Sequence, residues 1–388
     1  FDTADLPTTA GSQLLAGWRP SRDAAVVRRL REAGAIVLAK ANLGEFAGGG
    51  SALFGLPEAT MKATFVPSGF GTAGGQTLNP HDPAYSPSGS SGGTAAALAA
   101  VYAPLGLGTD TGSSVRAPAA YTGTVALKTT RGLVSRAGVV PLALSLDVVG
   151  PMARHVADVA LLLGVLTGVD PDDPDTRASE GRVETDYLRH LRPGALRGAR
   201  IGVARDFAGH DAESDRVLEA AADTLRRLGA EIVDPVRVPR YVLESRRGIF
   251  TELVSTEFRA QITDYLRAAP PGMPRSFDEL VARANDPATG YRSPGKALGL
   301  LHTQTLAREL DDPVYLAIRD HALAATRAGL EAMFARDRLD AILSLPSPKP
   351  PMRIDDTAAP VPGFMNLANQ AGLPELVVPA GMTQSGLP

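Results

Sequence analysis

The chain lacks several features that identify common kinds of protein. Its 388 residues include no cysteine, which excludes disulfides, thiolate nucleophiles and cysteine-ligated metal sites. It has no run of about 18 apolar residues, so the sequence predicts no transmembrane helix. The formal net charge is only −3, and basic residues do not cluster with aromatic ones, which argues against nucleic acid or an anionic membrane as a partner. The six histidines show no metal-ligand spacing, so no metal site is expected; the compartment stays open.

Helix and strand patterns alternate near the start of the chain. Hydrophobic residues make up 44% of the sequence, which is enough for a sizeable core. Residues 23–33 have apolar positions at helical spacing, and Gly34 is a typical helix stop. Residues 35–39 (Ala-Ile-Val-Leu-Ala) predict a buried strand that ends at Lys40.

The same alternation returns in the second half. Residues 200–204 and 231–233 predict strands on either side of an amphipathic helix at 213–228, which favours parallel pairing in a covered sheet. Residues 241–338 have almost entirely helical periodicity and predict a helical layer over the sheet. The acidic, proline-containing residues 169–175 are the best candidate for a linker.

Two loops rich in glycine and hydroxyl residues are the strongest chemical signal. They lie at residues 86–94 (Ser-Pro-Ser-Gly-Ser-Ser-Gly-Gly-Thr) and 108–118, and each leads into a predicted helix. Such loops present N–H groups and hydroxyls together, where a developing oxyanion is stabilised. Neither loop has the Gly-Lys-Ser/Thr ending of a phosphate loop. A Ser-His-Asp triad that uses Ser114 is conceivable, but no Gly-x-Ser-x-Gly elbow is present.

The order and spacing of three residues resemble the amidase signature family. Lys40 follows the predicted strand, Ser90 lies 50 residues later in Gly-Ser-Ser-Gly-Gly, and Ser114 lies a further 24 residues on in Asp-x-Gly-x-Ser-Val-Arg-x-Pro. Similar motifs occur at residues 1–11, 39–46, 127–132, 145–151 and 373–381. Within the family, residues 75–80 are most similar to the peptide-amidase-like branch. Ser88 departs from the pattern, because the family usually has glycine there.

The resemblance implies a Ser–cis-Ser–Lys triad. Ser114 would be the nucleophile, Ser90 the bridging serine after a cis bond from Gly89, and Lys40 the base. A lysine acts as a base only when neutral, so we expect burial, with few carboxylates nearby, to lower the pKa of Lys40. The backbone N–H groups of four residues would form the oxyanion hole: Thr111, Gly112, Ser113 and Ser114. Supporting roles fall to Ser91, expected to bond within its loop and support Lys40 or Ser90, and to Asp110 and Arg116, expected to pair and hold the nucleophile loop.

The resemblance also implies the architecture. It is an α/β fold in which a large mixed β-sheet is sandwiched between helices, as a single domain over residues 1–388 with a helical elaboration at about 241–338. Family members carry a helical region and a strand with a Lys-Asp pair before the position of residue 1, and a further strand and helices after residue 388. We therefore expect a sequence that is incomplete at both ends.

The function implied is hydrolysis of linear C–N amide bonds through an acyl-enzyme, without metal or organic cofactor, releasing ammonia or an amine. The substrate would be a C-terminally amidated peptide or a small carboxamide, and a homodimer is left open. One alternative is an amidotransferase A-type subunit, which hydrolyses glutamine and channels ammonia. Another is a non-catalytic scaffold of the same fold. Expected walls of the substrate cleft are residues 51–70, 241–338 and 346–364, with the aromatic residues Phe54, Phe70, Tyr85, Phe250 and Phe364 in or beside them.

Overall fold

The computed structural model describes residues 1–48, 58–357 and 365–388. Phe54 and Phe364, both named as candidate wall residues, lie outside the described residues. The helices are α1 (Ala25–Glu32), α2 (Glu58–Ala63), α3 (Gly92–Ala99), α4 (Arg116–Thr122), α5 (Val156–Leu166), α6 (Ala212–Arg227), α7 (Arg240–Leu266), α8 (Phe277–Asn285), α9 (Pro294–Leu306), α10 (Pro313–Ala317), α11 (Leu323–Asp337) and α12 (Met365–Gln370). The strands are β1 (Phe70–Gly71), β2 (Gly75–Gln76), β3 (Leu105–Asp110), β4 (Val125–Lys128), β5 (Val148–Ala153), β6 (Arg200–Ala204), β7 (Glu231–Val236), β8 (Ala341–Leu343) and β9 (Glu375–Val377).

An antiparallel sheet carries the two serine loops. Its strand order is β3-β5-β4-β9, with Asp110 opposite Val148 and Lys128 opposite Glu375. The first loop leads into helix α3, and the second leads from β3 into helix α4, so α3 and β3 separate the two loops in sequence. Because β9 comes from the end of the chain, residues more than 200 positions apart in sequence meet at this sheet.

A second sheet confirms the parallel pairing that the alternation predicts. Its order is β7-β6-β8, and β6 pairs in parallel with both neighbours. Helix α6, which connects β6 to β7, begins at an N-cap, Asp211, whose carboxylate accepts from the N–H groups of Glu213 and Ser214. This capping oxygen explains why the helix begins where it does.

The helical region forms the largest apolar core. Phe258, in the middle of α7, packs against Phe46 and edge-on against Phe277 of α8, with ring centroids 5.7 and 5.4 Å away. The helical periodicity is divided among separate helices, since α8 ends at Asn285 and α9 begins at Pro294. Residues 253–258 of α7 are all buried, so the middle of this helix is covered on every side and is stabilised mainly by apolar surface removed from water. Among the described residues, no helix is both long and apolar enough to span a membrane.

The prediction of a buried strand at residues 35–39 is wrong for the described residues. Helix α1 ends at Glu32 with Ala33 as its C-cap, and the residue after that cap, Gly34, has a φ of +86° as expected for a helix stop. The segment after it has no strand partner, and its outward side chains, Ile36 and Leu38, are 83% and 69% exposed. Only Val37 packs inward, against the cluster that includes Leu162 and Leu166. An apolar run predicts burial, but which face is covered depends on neighbours that the run does not specify.

The predicted linker at residues 169–175 is also wrong. The carboxylate of Asp173 accepts two bonds from the guanidinium of Arg136, at 2.9 and 2.7 Å, and both side chains are buried. The hydroxyl of Ser135 donates to Asp170 at 2.5 Å. Aspartates that would solvate a linker instead cap N–H groups and pair with a buried arginine, which fixes this segment against the body of the protein.

Candidate active site

A backbone hydrogen bond joins the two serine loops. The N–H of Ser91 donates to the carbonyl of Ser114 at 3.0 Å, so the residue after Ser90 is fixed against the predicted nucleophile. The hydroxyl of Ser91 makes two long bonds, donating to the carbonyl and accepting from the N–H of Thr109, each at 3.3 Å. Ser91 therefore supports β3, and the expected support of Lys40 or Ser90 by its hydroxyl is not seen among the described contacts.

Ser90 is held by close backbone packing. The peptide bond between Gly89 and Ser90 is cis, as the resemblance implies. The carbonyl of Ser90 accepts from the N–H of Gly44 at 2.9 Å, and a Cβ on Gly44 would lie 3.3 Å from the Cβ of Ser90. Ser90 is only 5% exposed, and its hydroxyl has no hydrogen-bond partner in the described part of the chain. A buried hydroxyl without a partner is rare in proteins, and such atoms concentrate at functional sites.

The turn at residues 111–114 is where the sequence predicts the oxyanion hole. The hydrogen bonds of the described residues include none donated by the backbone N–H of Thr111, Gly112, Ser113 or Ser114, whereas the next N–H, of Val115, donates to Asp110 at 3.1 Å. Four consecutive N–H groups are thus available to a negative oxygen. A Cβ on Gly112 would lie 2.7 Å from the ring of Phe250, so this glycine lets the aromatic side chain approach the turn.

A buried ion-pair network holds the base of this turn. The guanidinium of Arg116 donates to both carboxylate oxygens of Asp110, at 3.0 and 2.9 Å, which confirms the predicted pair. It also donates to Glu375 at 2.6 Å and to the side-chain oxygen of Asn369 at 2.5 Å. Burial acts to raise the pKa of Asp110, but the charge and hydrogen bonds of Arg116 outweigh it and hold that pKa below its ordinary value.

Asp147 and Lys128 are two further buried ionisable residues in this region. Asp147 accepts from the hydroxyl of Thr111 at 2.5 Å and from the N–H groups of Leu142 and Ala143, and burial raises its pKa in spite of these bonds. Lys128 donates to two backbone carbonyls, and burial, followed by the charge of Arg116, lowers its pKa to about 7. Asp147 thus holds the side chain of Thr111, whereas Lys128 holds the backbone at Thr129 and Leu373.

The structure does not bring Lys40 to the serines. Its amine donates to the hydroxyls of Thr8 at 2.5 Å and Thr3 at 3.4 Å, and the Ser90 hydroxyl has no partner in the described part of the chain. The predicted contact between Lys40 and Ser90 is therefore wrong. The physical reason is that the segment ending at Lys40 lies against residues 3–8 and does not enter the cleft as a strand. Burial does lower the pKa of Lys40 to about 8, but the carboxylates of Asp2, Asp5 and Asp23 lie near enough to raise it.

Three residues that contact the second serine loop or its ion pair were not predicted from the sequence. Asp147, Asn369 and Glu375 all contact the nucleophile loop or its ion pair, at separations of 36 to 259 residues. Asp147 lies inside the 145–151 motif, and its place there was the one available signal. No group of three or more histidines and carboxylates in the described ranges is arranged to hold a metal.

Ser88, where the family usually has glycine, has a backbone conformation that favours glycine. Its φ is +64°, in the left-handed region that favours glycine, and its N–H donates to the hydroxyl of Ser86 at 2.9 Å. A Cβ on Gly69 would lie 2.7 Å from the carbonyl oxygen of Ser88, so this part of the loop is tightly packed. The glycine preferred in the family thus matches the backbone conformation seen here.

Comparison with known proteins places this geometry in a family. A profile of the Amidase family matches residues 1–388. The glutamyl-tRNA(Gln) amidotransferase A-type subunit of Salinispora arenicola is 36% identical over 401 residues, which cover 100% of this chain and 76% of that protein. Among solved structures, the native peptide amidase of Stenotrophomonas maltophilia superposes with a TM-score of 0.88 at 36% identity, covering 100% of this chain and 75% of that one. The corresponding amidotransferase protein of Thermotoga maritima gives 0.72 at 28% identity, with 100% and 75% coverage.

These matches confirm the α/β fold class, with its mixed helices and sheets, as the amidase signature fold. They also support an amide-hydrolysing enzyme, since both the family profile and the superposed peptide amidase carry that activity in their names. The chain spans about three quarters of the length of each of the three relatives. It belongs to the Amidase family.

Proposed function

We propose that Ser114 is the nucleophile of this amidase and that Ser90 relays its proton. The observation that carries the proposal is the juxtaposition of the two loops. The N–H of Ser91 bonds the carbonyl of Ser114, the hydroxyl of Ser90 is buried without a partner, and the four N–H groups of the adjoining turn donate to no described acceptor. Together they supply a nucleophile, a proton carrier and donors for the negative oxygen.

The reaction proceeds in two balanced steps. The Ser114 oxygen adds to the amide carbonyl carbon as its proton moves to the Ser90 oxygen and the proton that Ser90 carried passes on toward the leaving nitrogen, and the carbonyl oxygen takes the negative charge beside the N–H groups of residues 111–114. The intermediate collapses to an ester on Ser114 when the C–N bond breaks, and the leaving nitrogen takes up a proton and departs as ammonia or an amine. Water then adds to the ester by the same relay and releases the carboxylic acid.

A serine hydroxyl needs a base before it attacks. That base must lie within hydrogen-bond reach of Ser90, and the Ser90 hydroxyl bonds no lysine, histidine or carboxylate of the described residues. Lys40 is held by Thr8 and Thr3, and we therefore do not assign it the role of the base. Of the five lysines in the chain, Lys128 is likewise engaged, by the carbonyls of Thr129 and Leu373.

The substrate class that we favour is a C-terminally amidated peptide or a small carboxamide. The structural similarity is closer to the peptide amidase, with a TM-score of 0.88, than to the T. maritima amidotransferase protein, with 0.72. The ring of Phe250 beside Gly112 also gives the oxyanion turn an apolar neighbour, which suits a substrate with an apolar side chain near the scissile bond.

The second candidate function is that of an amidotransferase A-type subunit. Sequence supports it to the same degree, because the S. arenicola protein with that name is 36% identical over the whole chain, as is the peptide amidase. The two functions differ in what the isolated protein does. A peptide amidase hydrolyses a dipeptide amide by itself, whereas glutaminase activity that appears only with partner subunits would favour the second function.

A homodimer remains a prediction, to be tested by light scattering on the same preparation.

The nucleophile is tested by labelling the full-length protein with a fluorophosphonate. We expect one label per chain on Ser114, and Ser114→Ala should lose the label and at least about 10⁴-fold in kcat for a dipeptide amide. Ser245→Ala is the matched control, because Ser245 is an exposed residue of α7 whose hydroxyl bonds only Tyr241 of its own helix. Failure to label Ser114 in folded protein would support a non-catalytic scaffold.

A further inference from the structure

A single buried amide side chain links the end of the polypeptide to the oxyanion turn. Asn369, in α12, is 2% exposed. Its Nδ2 donates to the backbone carbonyl of Asp110 at 3.1 Å, to the Asp110 carboxylate at 3.0 Å and weakly to the carbonyl of Leu146 at 3.4 Å. Its Oδ1 accepts from the guanidinium of Arg116 at 2.5 Å. Every polar atom of the side chain is therefore used.

The chemistry of these partners fixes the orientation of the amide. A guanidinium only donates and a carbonyl only accepts, so the oxygen of Asn369 must face Arg116 and its nitrogen must face Asp110. Aspartate at this position could not donate when ionised, and it would add a third carboxylate beside Asp110 and Glu375. Leucine, of similar size, could neither donate nor accept. Asparagine alone of the three matches both sides of the network.

The carbonyl that Asn369 binds belongs to the peptide that precedes the turn. A trans peptide is planar, and its C=O and N–H point in opposite directions. When the Asp110 carbonyl is held toward Asn369, the N–H of Thr111 must point away from it. That N–H is the first of the four that donate to no described acceptor. The other end of the same residue is held separately, since the Thr111 hydroxyl donates to Asp147.

We propose that Asn369 is a positioning residue that sets the orientation of the 110–111 peptide and thereby of the first oxyanion donor. The proposal rests on the function assigned above to the turn at residues 111–114. It concerns a residue 255 positions after Ser114 that never reaches the reacting atoms itself. Its effect is expected on the transition state, because the donor matters most when the carbonyl oxygen becomes negative.

The test compares Asn369→Asp and Asn369→Leu with wild-type full-length protein. We expect kcat for a dipeptide amide to fall about 10²-fold, with KM changed less than about threefold. The affinity for a peptidyl trifluoromethyl ketone, which forms a tetrahedral adduct on serine, should fall by the same factor as kcat/KM. The affinity for an unreactive amide analogue should not change. Fluorophosphonate labelling at completion counts the folded sites, so kcat is expressed per labelled site.

Asn79→Asp is the matched control, because Asn79 is equally buried and its side chain bonds only Tyr121 and the N–H of His81. A merely structural role for Asn369 would lower the melting temperature and the labelled fraction but leave kcat per labelled site unchanged, which would overturn the proposal. Equal losses of affinity for the ketone and the unreactive analogue would overturn it as well. Should Asn369→Leu fail to fold, Asn369→Asp gives the same readouts. Absence of labelling in the wild-type protein would contradict the proposed nucleophile instead.

Discussion

The two serine loops and the segment at residues 35–40 are both predicted from short sequence patterns, yet they differ in how far local sequence determines their structure. In the loops, glycines set close backbone approaches, and both the cis bond before Ser90 and the Asp110–Arg116 pair are present as predicted. In the segment, the predicted strand is absent and Lys40 turns to Thr8. A loop built from glycine contacts encodes its own shape, whereas an apolar run and a flexible lysine take theirs from what surrounds them.

The largest effect is expected from removing the buried charge of Arg116, at the base of the second serine loop. Arg116→Met leaves Asp110 and Glu375 buried without their cation, and we expect a loss of about 3–5 kcal/mol in the free energy of unfolding. Denaturant titration measures it. Arg22→Met, which removes an exposed pair with Asp172, should change stability by less than about 0.5 kcal/mol. Equal small effects for the two variants would show that the loop does not depend on the pair.

A smaller effect is expected from filling the space beside the oxyanion turn. In Gly112→Ala the new methyl group would lie 2.7 Å from the Phe250 ring and 3.1 Å from the side-chain oxygen of Asn366. The turn must shift, and we expect kcat to fall about 10²-fold with the fold retained. Adding Phe250→Ala should recover about tenfold, because it removes the ring. Gly248→Ala, on the same helix as Phe250, has open space for its Cβ and should be close to neutral.

Lys40→Met in the full-length protein tests whether the lysine at the end of the 35–40 segment contributes to catalysis or only to stability. Because the amine bonds Thr8 and Thr3, we expect kcat to change less than about tenfold and stability to fall by about 1–2 kcal/mol. Thr8→Val should have a similar effect on stability, since it removes the same bond. A loss of about 10³-fold in kcat, with normal folding and recovery at high pH, would restore the role of base that the resemblance suggests.

The smallest expected effect is a gain in stability. Ser88 has a φ of +64°, which a non-glycine residue adopts at a cost, so Ser88→Gly should raise the free energy of unfolding by about 1 kcal/mol. The N–H bond to Ser86 does not need the Ser88 side chain and should survive. Ser347→Gly, at a position without positive φ, should instead lower stability by about 0.5–1 kcal/mol. Both values are read from denaturant titrations.

The sequence alone is sufficient wherever the deciding interactions are local. The strand at residues 200–204 and the helix stop at Gly34 follow from short patterns, and the structure has the strand at β6 and a positive φ at Gly34, just after the end of α1. Asn369 could not be found in this way, because nothing near it in sequence reveals a contact with Asp110, 259 residues earlier. The same limit explains residues 169–175, since their aspartates indicate solvent unless Arg136 is known to lie against them.

The pairing of β9 with β4 has a consequence for biosynthesis. Residues 369–377 supply the last partners of Arg116 and Asp110, so the loop around Ser114 can complete its contacts only after residues 369–377 have emerged from the ribosome. Until then the nascent polypeptide carries its serine pair without a finished pocket around it. A chain can therefore become an active hydrolase only after β9 has been synthesised.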